Sequence, residues 1–140
     1  MEKTPIIYKA SILPRFNDFD PYGHVNASCY YDYLVTSRWA FTQKRFQLSA
    51  ADFVEMGYGF YLTRLEMDFK RPISAKAGEV MVSSFVAEIN AELLLRVNFR
   101  LTDTSEAKGY ASGDAWFAPI DMKTGRKCAL PTELEKFFME

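Results

Sequence analysis

The chain has 140 residues, of which 49% are hydrophobic and 16% aromatic, enough for one domain with its own core. Its 17 basic and 18 acidic residues leave a net charge of −1, and without a basic block the sequence lacks the phosphate-binding face of a nucleic-acid binder. No apolar run approaches the roughly 20 residues of a membrane span, and the first residues lack the apolar segment of a secretion signal.

The first third of the chain changes from strand to helix periodicity. Residues 6–13 favour a strand that Pro14 ends, and residues 26–46 show apolar positions at helical spacing. Apolar side chains occupy most of this helix's circumference, so we expect other elements to surround it. Asn26 is the predicted N-cap, since its side-chain oxygen can accept a free N–H of the first turn.

The rest of the chain favours strands. Ser49 and Asp52 predict a short second helix, and four strands are predicted at residues 61–70, 78–89, 93–101 and 109–119. Apolar and polar residues alternate along them, which is typical of an antiparallel sheet. Gly113 is expected to let the long helix approach the sheet, and Pro131 precedes a short C-terminal helix. One sheet curled around one helix leaves strand edges open, so pairing with a second copy is expected.

Residues 15–34, RFNDFDPYGHVNASCYYDYL, contain the unusual chemistry. Asp18 and Asp20 lie shortly before His24, the single histidine, and the long helix follows directly. In one interpretation the carboxylates only stabilise a turn and the histidine is structural. In the other, a carboxylate and an imidazole act together where a helix begins.

The segment D-F-D-P-Y-G-H-V-N-A-S-C-Y, with Arg38 further along the helix, resembles the signature of hotdog-fold acyl thioesterases. The similarity is to the 4-hydroxybenzoyl-CoA thioesterase-like group, with its long-chain acyl-CoA thioesterases, and more remotely to acyl-ACP thioesterases. It extends over nearly the whole chain. It implies an α+β hotdog fold, in which a five-stranded antiparallel sheet wraps around one long central helix.

The resemblance also assigns roles to individual residues. Asp20 matches the catalytic aspartate, which acts as general base or nucleophile, and His24 matches the histidine of the motif. Two positions depart from the family pattern, because Ala27 replaces an asparagine and Thr36 stands where many relatives have a glutamate. Asp18 is assigned a structural role.

Thioester hydrolysis also needs a donor for the developing oxyanion. We expect free backbone N–H groups of Gly23, Val25 and Asn26 to supply it, because the helix dipole favours negative charge at a helix N-terminus. His24 is expected to orient a water molecule or the Asp20 carboxylate.

Two further groups of residues are assigned to substrate binding. Aromatic density at the start of the helix predicts an apolar slot for the acyl chain, and a cationic cluster predicts a site for coenzyme A phosphates. The acyl-pocket candidates are Tyr30, Tyr31 and Leu34, and the phosphate candidates are Lys70, Arg71 and Lys76.

Other reactive groups are given smaller roles. Cys29 and Cys128 are interpreted as reduced thiols of a cytoplasmic protein. Cys29, at the start of the helix, is a candidate for a lowered thiol pKa, but it lacks an orienting group, which disfavours a cysteine hydrolase. One histidine and two distant cysteines cannot form a common zinc shell, so no metal is expected. No cofactor is expected besides the coenzyme A of the substrate.

The leading hypothesis is hydrolysis of an acyl-CoA thioester, with a fatty or aromatic acyl group, by a homodimer or homotetramer. Two other enzymatic hypotheses remain open, an acyl-ACP thioesterase and a dehydratase of the same fold. A third hypothesis is an acyl-CoA-binding hotdog domain without catalysis. We expect no nucleic-acid partner and no membrane span.

Overall fold

The computed structural model, which describes residues 3–90 and 92–140, contains five long strands and one long helix, as predicted. A single turn of 3-10 helix, Phe16–Asp18, lies between the first strand and the long helix. The elements, in chain order, are β1 Tyr8–Ile12, α1 Cys29–Phe46, α2 Ala50–Glu55, β2 Tyr58–Phe69, β3 Val80–Ile89, β4 Leu95–Thr102, β5 Gly109–Asp121, β6 Arg126–Lys127 and α3 Thr132–Glu135.

All strand pairs are antiparallel, and the sheet has the order β1-β3-β4-β5-β2, with the two-residue β6 added to β5. β1 and β2 therefore end the path of long strands. Gly113 of β5 is closely approached by β2, since a Cβ added there would lie 1.9 Å from the carbonyl oxygen of Glu66. The expectation that Gly113 accommodates the helix is wrong, because the close neighbour is the adjacent strand.

The main core lies between α1 and the concave face of the sheet. Buried side chains of α1 pack with Val80 and Val82 of β3 and with Phe99 of β4. From α1 they include Tyr30, Tyr33 and Leu34. Burial of each large side chain contributes about 1.5–3 kcal/mol, so the helix is held chiefly by its apolar face. Within residues 3–90 and 92–140, no helix is both long and apolar enough to cross a membrane.

The long helix begins later than its sequence predicts. Its first residue is Cys29 and its N-cap position is Ser28, so the prediction that Asn26 is the N-cap is wrong. Oδ1 of Asn26 instead accepts the N–H of Ser28 at 3.0 Å and its hydroxyl at 2.9 Å. A short polar side chain that is satisfied by its own turn competes with the cap, and here it delays the helix.

The other local signals agree with the structure. Ser49 and Asp52 form a capping box, in which the Ser49 N–H donates to Oδ2 of Asp52 at 2.7 Å and the Asp52 N–H donates to Oγ of Ser49 at 3.3 Å. The short C-terminal helix follows Pro131 as expected.

β2 presents apolar side chains to solvent. Tyr61 is 63% exposed, Leu65 is 38% exposed and Phe69 is 55% exposed. Leu65 and Phe69 share the face of β2 whose other members, Leu62 and Met67, pack against the core, and the Phe69 ring lies 5.1 Å from that of Tyr30 of α1. Tyr61 lies on the opposite face, because the register shifts between Leu62 and Arg64. This edge strand therefore leaves apolar side chains partly exposed on both of its faces.

Candidate active site

The motif folds into a closed turn that is docked on a distant loop. Asp20 N–H donates to the carbonyl of His24 at 2.8 Å, which closes the turn. Val25 N–H donates to the carbonyl of Ile73 at 2.8 Å, and Ala75 N–H donates to the carbonyl of Gly23 at 3.0 Å. These bonds fix the turn at the entrance to α1.

The Asp20 carboxylate is oriented by the backbone of its own turn. Its Oδ1 accepts the N–H of Tyr22 at 2.9 Å and the N–H of His24 at 3.1 Å. Its Oδ2 accepts no hydrogen bond from residues 3–90 or 92–140, and the residue is only half-buried. One carboxylate oxygen is therefore held while the other remains open to an incoming group.

His24 contributes its backbone rather than its ring to this arrangement. Its main chain bonds to Asp20 and forms an isolated bridge with Ser74. Its imidazole makes no hydrogen bond to any described residue. The expected contact between the imidazole and the Asp20 carboxylate is therefore absent, and two N–H groups orient that carboxylate instead.

Asp18 has the structural role that the sequence assigns to it. It is 3% exposed, and its carboxylate accepts the hydroxyl of Tyr33 at 2.6 Å and the N–H of Arg15 at 2.9 Å. Burial alone would raise the pKa of this carboxyl, but the bonds from Tyr33 and Arg15 outweigh burial and hold the pKa below its usual value. Asp18 is thus a buried anion that joins the turn to α1.

The three N–H groups expected to form the oxyanion site are already occupied. Those of Gly23, Val25 and Asn26 donate to the carbonyls of Asp20, Ile73 and Asp18, at 3.0, 2.8 and 2.7 Å. This part of the sequence prediction is wrong, because the turn uses its own amides to close and to dock.

One amide of the segment is free instead. Ala27 is exposed, and its N–H finds no acceptor within the described part of the chain. It lies two positions before Cys29, where α1 begins, so the positive end of the helix dipole is beside it. The sequence did not identify the Ala27 N–H as a donor, because a residue type does not show which backbone N–H groups find an acceptor.

Cys29 has no features of a nucleophile. Burial raises the pKa of its thiol, and the nearby charge of Asp18 raises it further. Its Sγ lies 3.9 Å from the carbonyl oxygen of Asp18. The expected lowering of this thiol pKa is therefore wrong.

An apolar cavity of about 320 Å³ runs beside α1. Tyr31 lines it, as predicted, but Tyr30 and Leu34 are core residues that are 3% and 0% exposed and do not line it. Tyr30 and Leu34 lie on the side of α1 that packs against the sheet, whereas Tyr31 lies on the side that lines the cavity. The other lining residues from α1 are Val35, Arg38, Trp39 and Thr42, and the opposite wall includes Phe60, Leu62, Val97 and Phe117.

Arg38 is the charged residue of this cavity, and the sequence assigned it no role in binding. Its Nη1 donates to Oγ of Ser84 at 2.8 Å, and its guanidinium carbon lies 4.0 Å from the ring centroid of Tyr8. Burial lowers the pKa of Arg38 to about 10, so the side chain is still protonated at neutral pH.

The predicted phosphate-binding cations lie close in sequence to the loop on which the turn docks. Lys70 and Arg71 follow β2, and their N–H groups donate to the carbonyl of Tyr110. Lys76 is exposed and follows Ala75, the residue bonded to Gly23. None of the three cations forms an ion pair with another residue that the structure describes.

A model of a protein family matches most of this sequence. It is described as the thioesterase-like superfamily, and it matches residues 14–138. The chain belongs to the thioesterase-like superfamily. The match includes the whole turn, α1 and every residue that lines the cavity except Tyr8. No curated protein matches the sequence.

Several solved structures have the same fold as this thioesterase-like chain. The probable thioesterase YbaW from Escherichia coli is 22% identical, with a TM-score of 0.75 and coverage of 93% of this chain and 95% of that one. A 1,4-dihydroxy-2-naphthoyl-CoA thioesterase from Synechocystis is 15% identical, with a TM-score of 0.75 and coverage of 94% of both chains. A thioesterase complexed with coenzyme A and Zn from Thermus thermophilus is 26% identical, with a TM-score of 0.71 and coverage of 92% and 89%. The predicted hotdog fold is confirmed.

Proposed function

We propose that the chain hydrolyses an acyl thioester of coenzyme A, with Asp20 as the catalytic carboxylate. The observation that supports this most is the state of the Asp20 side chain, with Oδ1 held by two backbone N–H groups and Oδ2 open at the entrance to α1. Membership of the thioesterase-like superfamily and the similarity to a thioesterase complexed with coenzyme A support the same conclusion.

The reaction needs one proton acceptor and one oxyanion donor. As general base, Oδ2 of Asp20 takes a proton from water while the water oxygen attacks the thioester carbon. The carbonyl oxygen becomes negative in the tetrahedral intermediate and accepts the free N–H of Ala27, where the helix dipole adds to the stabilisation. The C–S bond then breaks, the thiolate leaves and takes up the proton, and the acyl group departs as a carboxylic acid.

The alternative for Asp20 is direct attack by the carboxylate on the thioester carbon. The C–S bond breaks and the thiolate leaves, so that a mixed anhydride of Asp20 and the acyl group remains, and water then hydrolyses this anhydride to the free acid and the Asp20 carboxylate. Both routes use the same open oxygen and yield the same products. In both, a change of Asp20 to asparagine removes the reacting group.

The proposed substrate extends in two directions from this turn. The acyl chain enters the cavity beside α1. Tyr31, in the first turn of α1, is the first residue of this helix that lines the cavity. The phosphates of coenzyme A are proposed to bind Lys70, Arg71 and Lys76, whose charges no carboxylate of the described chain neutralises.

The protein is proposed to act as a homodimer or a larger homo-oligomer. The partly exposed apolar side chains of β2 support self-association. Two aromatic residues in or beside the motif support it as well, since Phe16 is 92% exposed and Tyr22 is 84% exposed. Apolar surface of this kind is typical of an interaction site.

Release of free thiol from a panel of acyl-CoA thioesters tests the proposal, with Asp20→Asn measured beside Asp121→Asn. Asp121 is a matched control, because its Oδ1 also accepts the N–H two residues ahead, that of Lys123, at 2.8 Å. Turnover that is lost only in the Asp20 variant supports the assignment. Tight binding of acyl-CoA without turnover would instead favour a binding domain, consistent with Thr36 at the position of the family glutamate. Turnover of acyl-ACP alone would favour the other carrier.

A further inference from the structure

Arg38, a half-buried cation that lines the cavity beside α1, pairs with no carboxylate in the described part of the chain. We propose that the cavity selects acyl groups that carry a carboxylate at their distal end, and that Arg38 binds this carboxylate. The proposal rests on the proposed function, because it names the substrate class of the same site.

Arg38 differs from the other arginines of the structure that make side-chain hydrogen bonds. Arg15, Arg45, Arg64 and Arg96 each form an ion pair with an aspartate or glutamate. Arg38 makes its one side-chain hydrogen bond to the neutral hydroxyl of Ser84. It is half-buried, as is Arg96, whereas Arg15, Arg45 and Arg64 are exposed. It forms no ion pair within residues 3–90 and 92–140.

The unused donors of Arg38 face the cavity. A guanidinium has five N–H donors, and only Nη1 has a partner here. No buried side-chain nitrogen among the described residues lacks a hydrogen-bond partner, so the remaining nitrogens keep an accessible surface. Since Arg38 lines the cavity, that surface is the one on which a ligand would bind.

The rest of the lining suits an aliphatic or aromatic stem with one polar end. The wall is mostly apolar, and its other polar groups are the hydroxyls of Tyr8, Tyr31 and Thr42 and the indole N–H of Trp39. The Thr42 hydroxyl is already used, since it donates to the carbonyl of Arg38 at 2.8 Å. A planar carboxylate matches the fork of a guanidinium and accepts two parallel N–H bonds.

The same site discriminates against a chain that ends in a methyl group. A buried charge without a partner is costly, and water in the cavity reduces that cost while the site is empty. A methyl-ended chain that reaches Arg38 displaces this water and provides no acceptor. A carboxylate displaces it and pairs with the charge.

The position of Arg38 along the helix fits a distal contact. Tyr31 lies in the first turn of α1, near the catalytic turn, and Arg38 follows it by seven residues. At 1.5 Å per residue, this places Arg38 about 10 Å further along the helix axis. The thioester and the distal carboxylate would therefore occupy opposite ends of the cavity.

The test compares pairs of coenzyme A thioethers, which cannot be hydrolysed, by isothermal titration calorimetry. Each pair has S-alkyl chains of equal length that end in a methyl group or in a carboxylate, in a series of lengths. At the best length we expect the wild-type chain to bind the carboxylate-ended compound at least about tenfold more tightly, since sites built around buried polar groups reject ligands that leave them unpaired. In Arg38→Met the preference should disappear or invert.

Arg45→Met is the matched control, because Arg45 is on the same helix but pairs with Glu140 and does not line the cavity. It should keep the wild-type preference. Equal or tighter binding of the methyl-ended compounds by the wild type would overturn the inference, as would failure of every compound to bind. The wild-type comparison decides the question even if Arg38→Met does not fold. Because binding needs no turnover, a chain that prefers the carboxylate but hydrolyses no thioester would contradict only the proposed function.

Discussion

The hydroxyl of Tyr33 donates a hydrogen bond of 2.6 Å to Oδ2 of Asp18, and both residues are buried. The carbonyl of Asp18 in turn accepts the N–H of Asn26 at 2.7 Å. Asp18 thus connects the two ends of the loop that holds Asp20 with the second turn of α1, through its carboxylate to Tyr33 and through its backbone carbonyl to Asn26. The position of this loop relative to the helix depends on the Asp18–Tyr33 pair.

Tyr33→Phe should destabilise the protein by about 1–3 kcal/mol, because it leaves the buried Asp18 carboxylate without one of its donors. Urea denaturation followed by circular dichroism gives the free energy of unfolding. Tyr61→Phe is the control, since Tyr61 is 63% exposed and its hydroxyl makes no hydrogen bond to a described residue. Equal stability of the two variants would show that the Asp18–Tyr33 bond contributes little.

The stability of the wild-type chain should fall in acid because of the same pair. The folded-state pKa of Asp18 is lowered, so its contribution is fully present above the unfolded aspartate pKa of about 3.9 and is lost as the pH falls through the folded value. In Tyr33→Phe the pKa of Asp18 should lie closer to the unfolded value. Urea midpoints measured from neutral to acid pH should therefore fall less steeply below about pH 4 in this variant. Parallel pH profiles for the two proteins would contradict this account.

Asp20→Asn should lower kcat by about 10²–10⁴-fold, because asparagine can neither accept the proton nor attack the thioester. The fold should be retained, since an amide oxygen can still accept the N–H groups of Tyr22 and His24. Thiol release gives kcat, and a denaturation curve checks the fold. Asp121→Asn should keep kcat within about a factor of two of the wild type, since its turn lies outside the motif. Similar losses in both variants would show that Asp20 has only a turn role.

Val35→Trp should shift the acyl-chain preference toward shorter chains, because Val35 lines the cavity and the larger ring fills part of its 320 Å³. Turnover of the shortest thioesters should change little. Ala40→Trp provides the control, since Ala40 is exposed on the same helix and outside the cavity. An unchanged chain-length profile for Val35→Trp would place the acyl group elsewhere.

Leu65→Lys should weaken self-association, because it places a charge among the partly exposed apolar side chains of the edge strand β2. Sedimentation velocity across a concentration series measures the oligomeric state. Thr63→Lys is the control, as Thr63 is an exposed polar residue of the same strand. A wild-type chain that sediments as a stable, active monomer would contradict the proposed oligomer.

Local patterns in the sequence predicted the secondary structure well. Alternation identified the strands predicted at residues 61–70 and 93–101, β-rich composition before Pro14 identified the first, helical spacing identified α1, and Ser49 with Asp52 identified the start of α2. These signals are reliable because the period of side-chain burial and the chemistry of a cap are properties of a few neighbouring residues. The motif located the turn that holds Asp20, and the resemblance predicted the fold and the role proposed for Asp20.

Only the tertiary structure decided which groups of that turn are available. The N–H of Val25 is occupied because Ile73, 48 positions further along the chain, provides its acceptor, and the N–H of Ala27 is left free because no such partner lies near it. Arg38 faces a cavity to which residues 3–90 and 92–140 contribute no carboxylate, because the residues that surround it come from distant strands. Hydrogen-bond satisfaction and enclosure depend on contacts between residues far apart in sequence, and these the sequence alone does not specify.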